Sequence, residues 1–310
     1  MILVAGSANL DFVVRADHIP APGETVLGRE FKTFPGGKGA NQAVACARAG
    51  GVPTAMLLAL GNDAFATPLI DSLSQAGVHL HTVRAAAEPT GTAFICVSDD
   101  GENAITVAPG ANHALLPEHL AQYVPSLQGI THLLMQLETP LATVQAYAQA
   151  AKAQGVQVVL NAAPARALPG PLLALVDILI VNEGELIALT EGQRNGQGNP
   201  PTSVQDRLAQ LQVPCVVVTL GAQGCLARVR GAQGRSTLIE QTAFKVQVID
   251  TTAAGDTFCG ALVAALSQQA TLAQALQHAS AAAALACTQL GAQSSIPSAS
   301  AVAQLLQPPP

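Results

Sequence analysis

The chain has 310 residues, enough for one large α/β domain or two small ones. Apolar residues make up 49% and charged residues only 11%, yet no apolar run reaches the ~18 residues of a membrane span. The formal net charge is −6, there is no Trp, and no basic patch breaks the chain, which argues against nucleic acid as a partner.

"MILVAGSAN" reads as a buried first strand. Its apolar run is too short, and its start too uncharged, for a signal peptide, so a cytoplasmic protein is expected. Residues 11–34 hold "IPAPGETVLGREF" and read as irregular strands and turns. "FPGGKGANQAVACARAGG" then runs from a glycine-rich loop into an alanine-rich helix over 40–49. "TAMLLALG" is a strand, and "FATPLIDSLSQAG" a helix closed by Gly77. "TAFICVSDDGENAITVA" reads as two strands around a turn.

From residue 113 the rhythm is regular. "THLLMQLE" is a strand, "LATVQAYAQAAKAQG" a helix, "VQVVLNAAP" a strand, and "LLALVDILIVNEGE" a helix tail and a strand. "VPCVVVTLGAQG" is a strand and turn. "GDTFCGALVAALSQQ" and "LAQALQHASAAAALACTQLG" are helices. Alternation of this kind predicts a doubly wound, mostly parallel sheet in a three-layer α/β/α sandwich, one domain over 1–310. Segments 11–34 and 92–107 break the rhythm, so they are expected to form a small projecting β-sheet lid over the carboxyl ends of the main strands. Residues 191–203 read as a polar surface loop, and 308–310 as a frayed tail. None of the six cysteines forms a C-x-x-C pair, so buried free thiols are expected rather than a zinc site.

Two stretches carry the chemistry. In "VIDTTAAGDTFCGAL" a strand is expected to end at Asp250, and a helix to start near Asp256. Small residues there let backbone N–H groups converge, and the helix end adds positive potential: an anion cradle. Asp256 reads either as a dipole-stabilised first-turn residue or as a base beside the bound anion. "FPGGKGAN" is no Walker A loop, since Lys32 and Gly39 stand where Gly and Ser/Thr are required. Its glycines alone are equally consistent with a tight turn and close helix packing. No G-x-G-x-x-G follows the first strand, which weakens a dehydrogenase reading. Asn9, Asp11, Glu138, Asn182 and Glu185 all fall at strand ends and would converge at one edge of the sheet.

Together these stretches resemble the ribokinase-type carbohydrate kinase family. "GGKGANQAVACARAG" is similar to its N-terminal signature and "DTTAAGDTFCGAL" to its C-terminal one. "MQLE", "NAAPA", "VNEGE" and "VTLGAQG" follow in the family's order, and "GSANLD" and "PAPGET" resemble its ribose-phosphorylating branch. The resemblance spans essentially the whole chain. It implies transfer of the ATP γ-phosphoryl group to the 5-hydroxyl of D-ribose. It makes Asp256 the base, with Ala253, Ala254 and Gly255 as the anion hole. Asn9, Asp11, Gly37, Lys38, Asn41 and Glu138 would hold the sugar. Asn182 and Glu185 would organise Mg²⁺ through water, and Thr219, Gly221 and Gly224 would line the nucleotide. Asp250, Thr252, Ala286, Gln289, Gly291 and Ser295 would hold K⁺. A homodimer through the lid is also implied. Ala162 stands where the family usually has Pro, and Gly184 where Thr is common, with the Asn182–Glu185 spacing kept. A kinase of deoxyribose, a ketohexose or a nucleoside, and a catalytically idle sugar-binding protein, are the alternative readings.

Overall fold

The computed structural model describes the chain except for residues 125–126, 195–202, 232–234 and 308–310. Among the described residues, one nine-stranded sheet forms the centre. Its strands are β1 (Ile2–Ala5), β4 (Thr54–Gly61), β5 (His79–Ala85), β8 (His132–Met135), β9 (Gln157–Asn161), β10 (Ile178–Asn182), β11 (Cys215–Thr219), β12 (Cys225–Arg230) and β13 (Ser236–Gln241). The spatial order is β13-β12-β11-β10-β9-β8-β1-β4-β5. From β5 to β11 all pairs are parallel, and β12 and β13 add an antiparallel edge.

Strands covered on both faces need apolar residues at every position. β1 is ILVA and β4 is buried throughout. Alternate residues then face opposite cores. Ile2, Val4, Met56 and Leu58 join helices α1 (Lys38–Arg48), α8 (Ala254–Ser267) and α9 (Leu272–Ala286). Leu3, Ala5, Leu57 and Ala59 join α4 (Leu141–Ala153) and α6 (Glu183–Arg194) on the other side. Shorter helices complete the layers: α2 (Ala66–Gln75), α3 (Glu118–Tyr123), α5 (Gly170–Leu173), α7 (Val204–Gln210) and α10 (Ala299–Leu306). The chain leaves β1 toward β4 and β5, then returns to β8 on β1's other flank. That reversal between β1 and β8 is the switch point where ligands of open α/β sheets bind.

The two irregular segments form one separate four-stranded sheet, ordered β3-β2-β6-β7. It comprises β2 (Asn9–Arg15), β3 (Glu30–Gly36), β6 (Gly91–Val97) and β7 (Asn103–Ala108). β6 and β7 are the expected hairpin, while β2 pairs antiparallel with β3 and parallel with β6.

Several details differ from the sequence reading. No strand ends at Asp250. β13 stops at Gln241, and the N–H groups of Ile249 and Asp250 donate to Cys287 O at 2.8 and 3.3 Å. The alternation in "KVQVID" has no face to bury, for Val248 and Ile249 are 60% and 58% exposed. β5 has a polar, His-containing sequence and carried no strand expectation, yet it pairs along β4. Residues 191–194 belong to α6, and Ser203 caps α7 by accepting the Asp206 N–H at 3.1 Å. The rest of that expected loop, and the 308–310 tail, lie outside the described residues. Of the six free cysteines, Cys46, Cys215, Cys225 and Cys259 are buried, and Cys96 and Cys287 are partly so. No described helix is long and apolar enough to cross a membrane.

Candidate active site

Helix α8 begins with an outlier. Ala253, its N-cap, has φ 58°, a left-handed conformation costing a non-glycine residue ~1 kcal/mol. Such strain persists where the surroundings over-determine it, often at functional sites. It turns the chain sharply from Thr251 into the helix. The Ala254 N–H is spent on Thr251 O at 3.2 Å. Gly255 and Asp256 present first-turn N–H groups with no backbone acceptor among the described residues, so they are free to hold an anion. A side chain at Gly255 would meet nothing within 4 Å, so the space in front of it is open.

Asp256 projects across to α1. Its Oδ2 accepts from Asn41 Nδ2 and its Oδ1 from Gln42 Nε2, both at 2.9 Å. The start of α1 is pressed against the β1–β2 connection. A Cβ at Gly37, which has φ +88°, would come within 2.7 Å of Asn9 N. One at Gly39 would come within 2.5 Å of Ser7 N. Close backbone approach is thus the reason for these glycines. Glu138, just past β8, accepts from Ser7 Oγ at 2.6 Å and from the Lys38 N–H at 3.1 Å. Asn9 Oδ1 accepts from Asn112 Nδ2 at 2.7 Å.

A cavity of about 160 Å³ brings together Lys38, Asn182, Glu185, Thr219, Gly255 and Asp256. Lys38 has its pKa raised, first by Asp256, then by Glu138 and Glu185 against the opposing cost of burial. Its ammonium is therefore a fixed positive charge among carboxylates. Glu185 is pushed up by burial. Burial also raises Asp11 to about 7, with Glu138 and Asp256 adding to it. A wider crevice of about 740 Å³ opens beside it, between one face of the small sheet and the 248–252 and 290–292 loops; Asp11 and Asp250 line it.

Most of the expected site residues converge. Asn9, Asp11, Gly37, Lys38, Asn41, Glu138, Ala253, Gly255 and Asp256 surround the switch point, with Asn182, Glu185 and Thr219 on the far side. Asn41 faces Asp256 rather than open space, being 6% exposed. Asn182 and Glu185 bond to each other, N–H to side chain in both directions at 2.8 Å, a reciprocal cap at the start of α6. Gly221 and Gly224 sit in the β11–β12 turn and do not line this cavity; Gly224 packs against Gln241 O.

Among the residues expected to hold K⁺, Asp250 is a hydrogen-bonding hub. It accepts from Thr252 N and Oγ1 at 2.9 and 2.6 Å and from the Gly291 N–H at 2.9 Å. Ala286, Gln289 and Ser295 follow on the adjoining end of α9 and the loop after it, Ala286 O accepting from Gln289 N at 3.2 Å. Carboxylate, hydroxyl and carbonyl oxygens are hard donors suited to an alkali cation. Among the described residues no cluster of three or more His, Cys, Asp or Glu could hold a metal directly. Glu185 keeps one carboxylate oxygen outside its bonds, which suits an outer-sphere contact to Mg²⁺.

Sequence reasoning missed Gln42, Gln136, Asn161, Ser7 and Asn112. For Gln42 a signal existed: an amide at a helical position flanked by buried alanines. Asn112, in a 3₁₀ turn, had none.

The model of the pfkB family carbohydrate kinases matches residues 1–299. The chain belongs to the pfkB family of carbohydrate kinases. The ribokinase of Haemophilus influenzae is 40% identical over 309 residues, covering 99% of this chain and 98% of that protein. The crystal structure of Thermotoga maritima ribokinase superposes with a TM-score of 0.87 at 36% identity, covering 99% of both chains. Arabidopsis thaliana ribokinase, solved with ribose and ATP, superposes at 0.88 with 33% identity over 99% of this chain and 98% of that one. In this family member the loop after β1 packs against the start of α1, and the start of α1 is hydrogen-bonded to the start of α8.

Proposed function

We propose that the protein transfers the γ-phosphoryl group of ATP to the 5-hydroxyl of D-ribose. The observation that carries the reading is Asp256, held through both carboxylate oxygens beside the open first turn of α8 and facing Lys38. The relatives named ribokinase, and the one bound to ribose and ATP, support the choice of substrates.

In this reading the sugar lies between Asn9, Asp11, Lys38, Gly37, Asn41 and Glu138, under the small sheet. Carboxylates and amides engage its hydroxyls, and an analogue lacking one leaves buried partners unmet. The 5-hydroxyl oxygen attacks the γ-phosphorus in line, the bond to the β,γ-bridging oxygen breaks, and ADP leaves. The hydroxyl proton passes to Asp256. A weak base suffices, because the loose transition state needs little early deprotonation. First-turn N–H groups of Gly255 and Asp256, and the Lys38 ammonium, meet charge on the transferring group. Thr219 flanks the phosphates. Asn182 and Glu185 would hold Mg²⁺ through water, and the ion would supply countercharge to the phosphates. Asp250, Thr252, Gly291 and the neighbouring carbonyls would hold K⁺, which would add positive potential near the start of α8.

A homodimer belongs to the same proposal. Phe12, Phe31 and Phe94 stack on one face of the small sheet, centroids 5.4–6.1 Å apart, and Phe31 and Phe94 are 60% and 53% exposed. Such a face fits burial against a second copy. Reduced thiols and an ATP substrate fit a cytoplasmic setting.

The test is product identification. Incubation with ribose, ATP and Mg²⁺ is expected to give a new phosphomonoester on the 5-hydroxyl by ³¹P NMR. Calorimetric binding of both ligands with no product would leave an idle binding protein instead.

A further inference from the structure

Gln42 is fully buried, one residue past Asn41 in α1. Its amide is the centre of a network of four side chains, in which Gln136 Oε1 is the one oxygen left without a partner among the described residues. Gln42 Nε2 donates both to Asn161 Oδ1 at 3.0 Å and to Asp256 Oδ1 at 2.9 Å. Oε1 accepts from Gln136 Nε2 at 2.7 Å. Asn161 Nδ2 donates to Ile180 O at 3.2 Å. These four side chains come from α1, the end of β9, the residue after β8, and the first turn of α8.

The network has one consistent orientation. Asn161 spends its N–H on a carbonyl, so its oxygen faces Gln42 and requires a donor. Asp256 requires a donor too. An amide offers two N–H bonds on one side and an oxygen on the other, so Gln42 meets both needs only with its oxygen toward Gln136. Turned over, it would set oxygen against the Asp256 carboxylate.

We infer that Gln42 is a positioning residue for Asp256, and that Gln136 and Asn161 lock the amide that does it. Asn41 holds the other carboxylate oxygen at 2.9 Å. With one N–H bond on each oxygen, the carboxylate plane is fixed across the switch point, and each oxygen keeps a lone-pair site for the incoming hydroxyl. Buried completely, Gln42 meets neither sugar nor nucleotide and acts only through Asp256. The inference rests on Asp256 being the base.

A merely structural Gln42 would cost stability and leave turnover per folded molecule alone. The test is steady-state kinetics with ribose and MgATP on folded wild type, Gln42→Met, Gln136→Leu, Asp256→Asn and the Gln42→Met/Asp256→Asn double variant. Gln42→Met is expected to lower kcat on the order of 10- to 100-fold, the cost of a misplaced group, with the ribose KM within about threefold. Gln136→Leu moves kcat the same way by less. The double variant is no slower than Asp256→Asn, because no base remains to position. Wild-type kcat in Gln42→Met, or a further tenfold loss in the double variant, overturns the inference. If Gln42→Met does not fold, Gln136→Leu decides: lower kcat at unchanged KM supports the inference, wild-type kcat refutes it. A wild type that phosphorylates no ribose, or an Asp256→Asn variant with near-normal turnover, removes the parent reading and this inference with it. An active wild type and a crippled Asp256→Asn beside a normal Gln42→Met sink the positioning role alone.

Discussion

At the start of α8, Asp256 is tied through both oxygens to α1, in a neighbourhood where Gln42 and Thr257 are fully buried. Across the cleft, the small sheet leaves β7 exposed along its whole length and Phe94 53% exposed. Both regions contribute to one site. The first is fixed by a buried polar network that tolerates one arrangement. The second has little core of its own and exposed ladders, the profile of an element with low local stability. The contrast assigns the chemistry to the rigid side and access and sugar recognition to the other. Substitutions on the two sides should therefore fail in different kinetic constants.

The largest effect is expected on the rigid side. Asp256→Asn should lower kcat by about 10²–10⁴, the range for a lost general base, with modest change in ribose affinity. Parallel kcat and calorimetric Kd measurements check this, and near-normal turnover would remove Asp256 from its role. Next comes the seam between the regions. Gly37→Ala places a Cβ 2.7 Å from Asn9 N at φ +88°, and strain of about 1–3 kcal/mol should appear as a ribose KM raised about tenfold. An unchanged KM would show that Asn9 does not hold the sugar.

A third prediction concerns pH. Burial keeps the Asp11 carboxyl protonated up to about 7, against 3.8 unperturbed. Between these values the folded state binds more protons than the unfolded one, so this group's contribution to stability falls as pH rises from about 4 to about 7. Asp11→Asn removes that loss. Its stability relative to wild type should rise by roughly 2.5–3 kcal/mol from pH 5 to pH 8, at ~1.4 kcal/mol per unit over the two units below 7. Urea unfolding at the two pH values measures it, and parallel curves would contradict it. The smallest kinetic effect is expected at the outer face of the small sheet. Phe94→Asp should shift the protein to monomer in light scattering while kcat stays within about threefold. A wild type that is already monomeric at micromolar concentration would break the dimer proposal.

How far the sequence could be read follows the same division. The parallel strands were legible because burial on both faces forces apolar runs such as "TAMLLALG". The cradle was legible because small residues between an acidic residue and a helix have few other uses. β5 was not, since an edge strand bounded by "GVHLHTVRA" can be half polar. The strand expected to end at Asp250 does not form, because Val248 and Ile249 lie exposed with no neighbouring strand to cover them, and a short apolar run does not reveal whether a neighbour exists. Asn112 stayed hidden, and Gln42 showed only as an amide among alanines, for a different reason: their partners lie 103 and 214 residues away in the chain, and nothing local says what a buried amide will bond. Gly221 and Gly224 carry a turn signal, and both sit in the β11–β12 turn.

The most direct measurement is a coupled ADP-release assay with Mg²⁺ over ribose, deoxyribose, fructose and adenosine, with and without K⁺. The account predicts the highest kcat/KM with ribose and a rate increase on adding K⁺. Turnover of fructose or adenosine with none of ribose would contradict it.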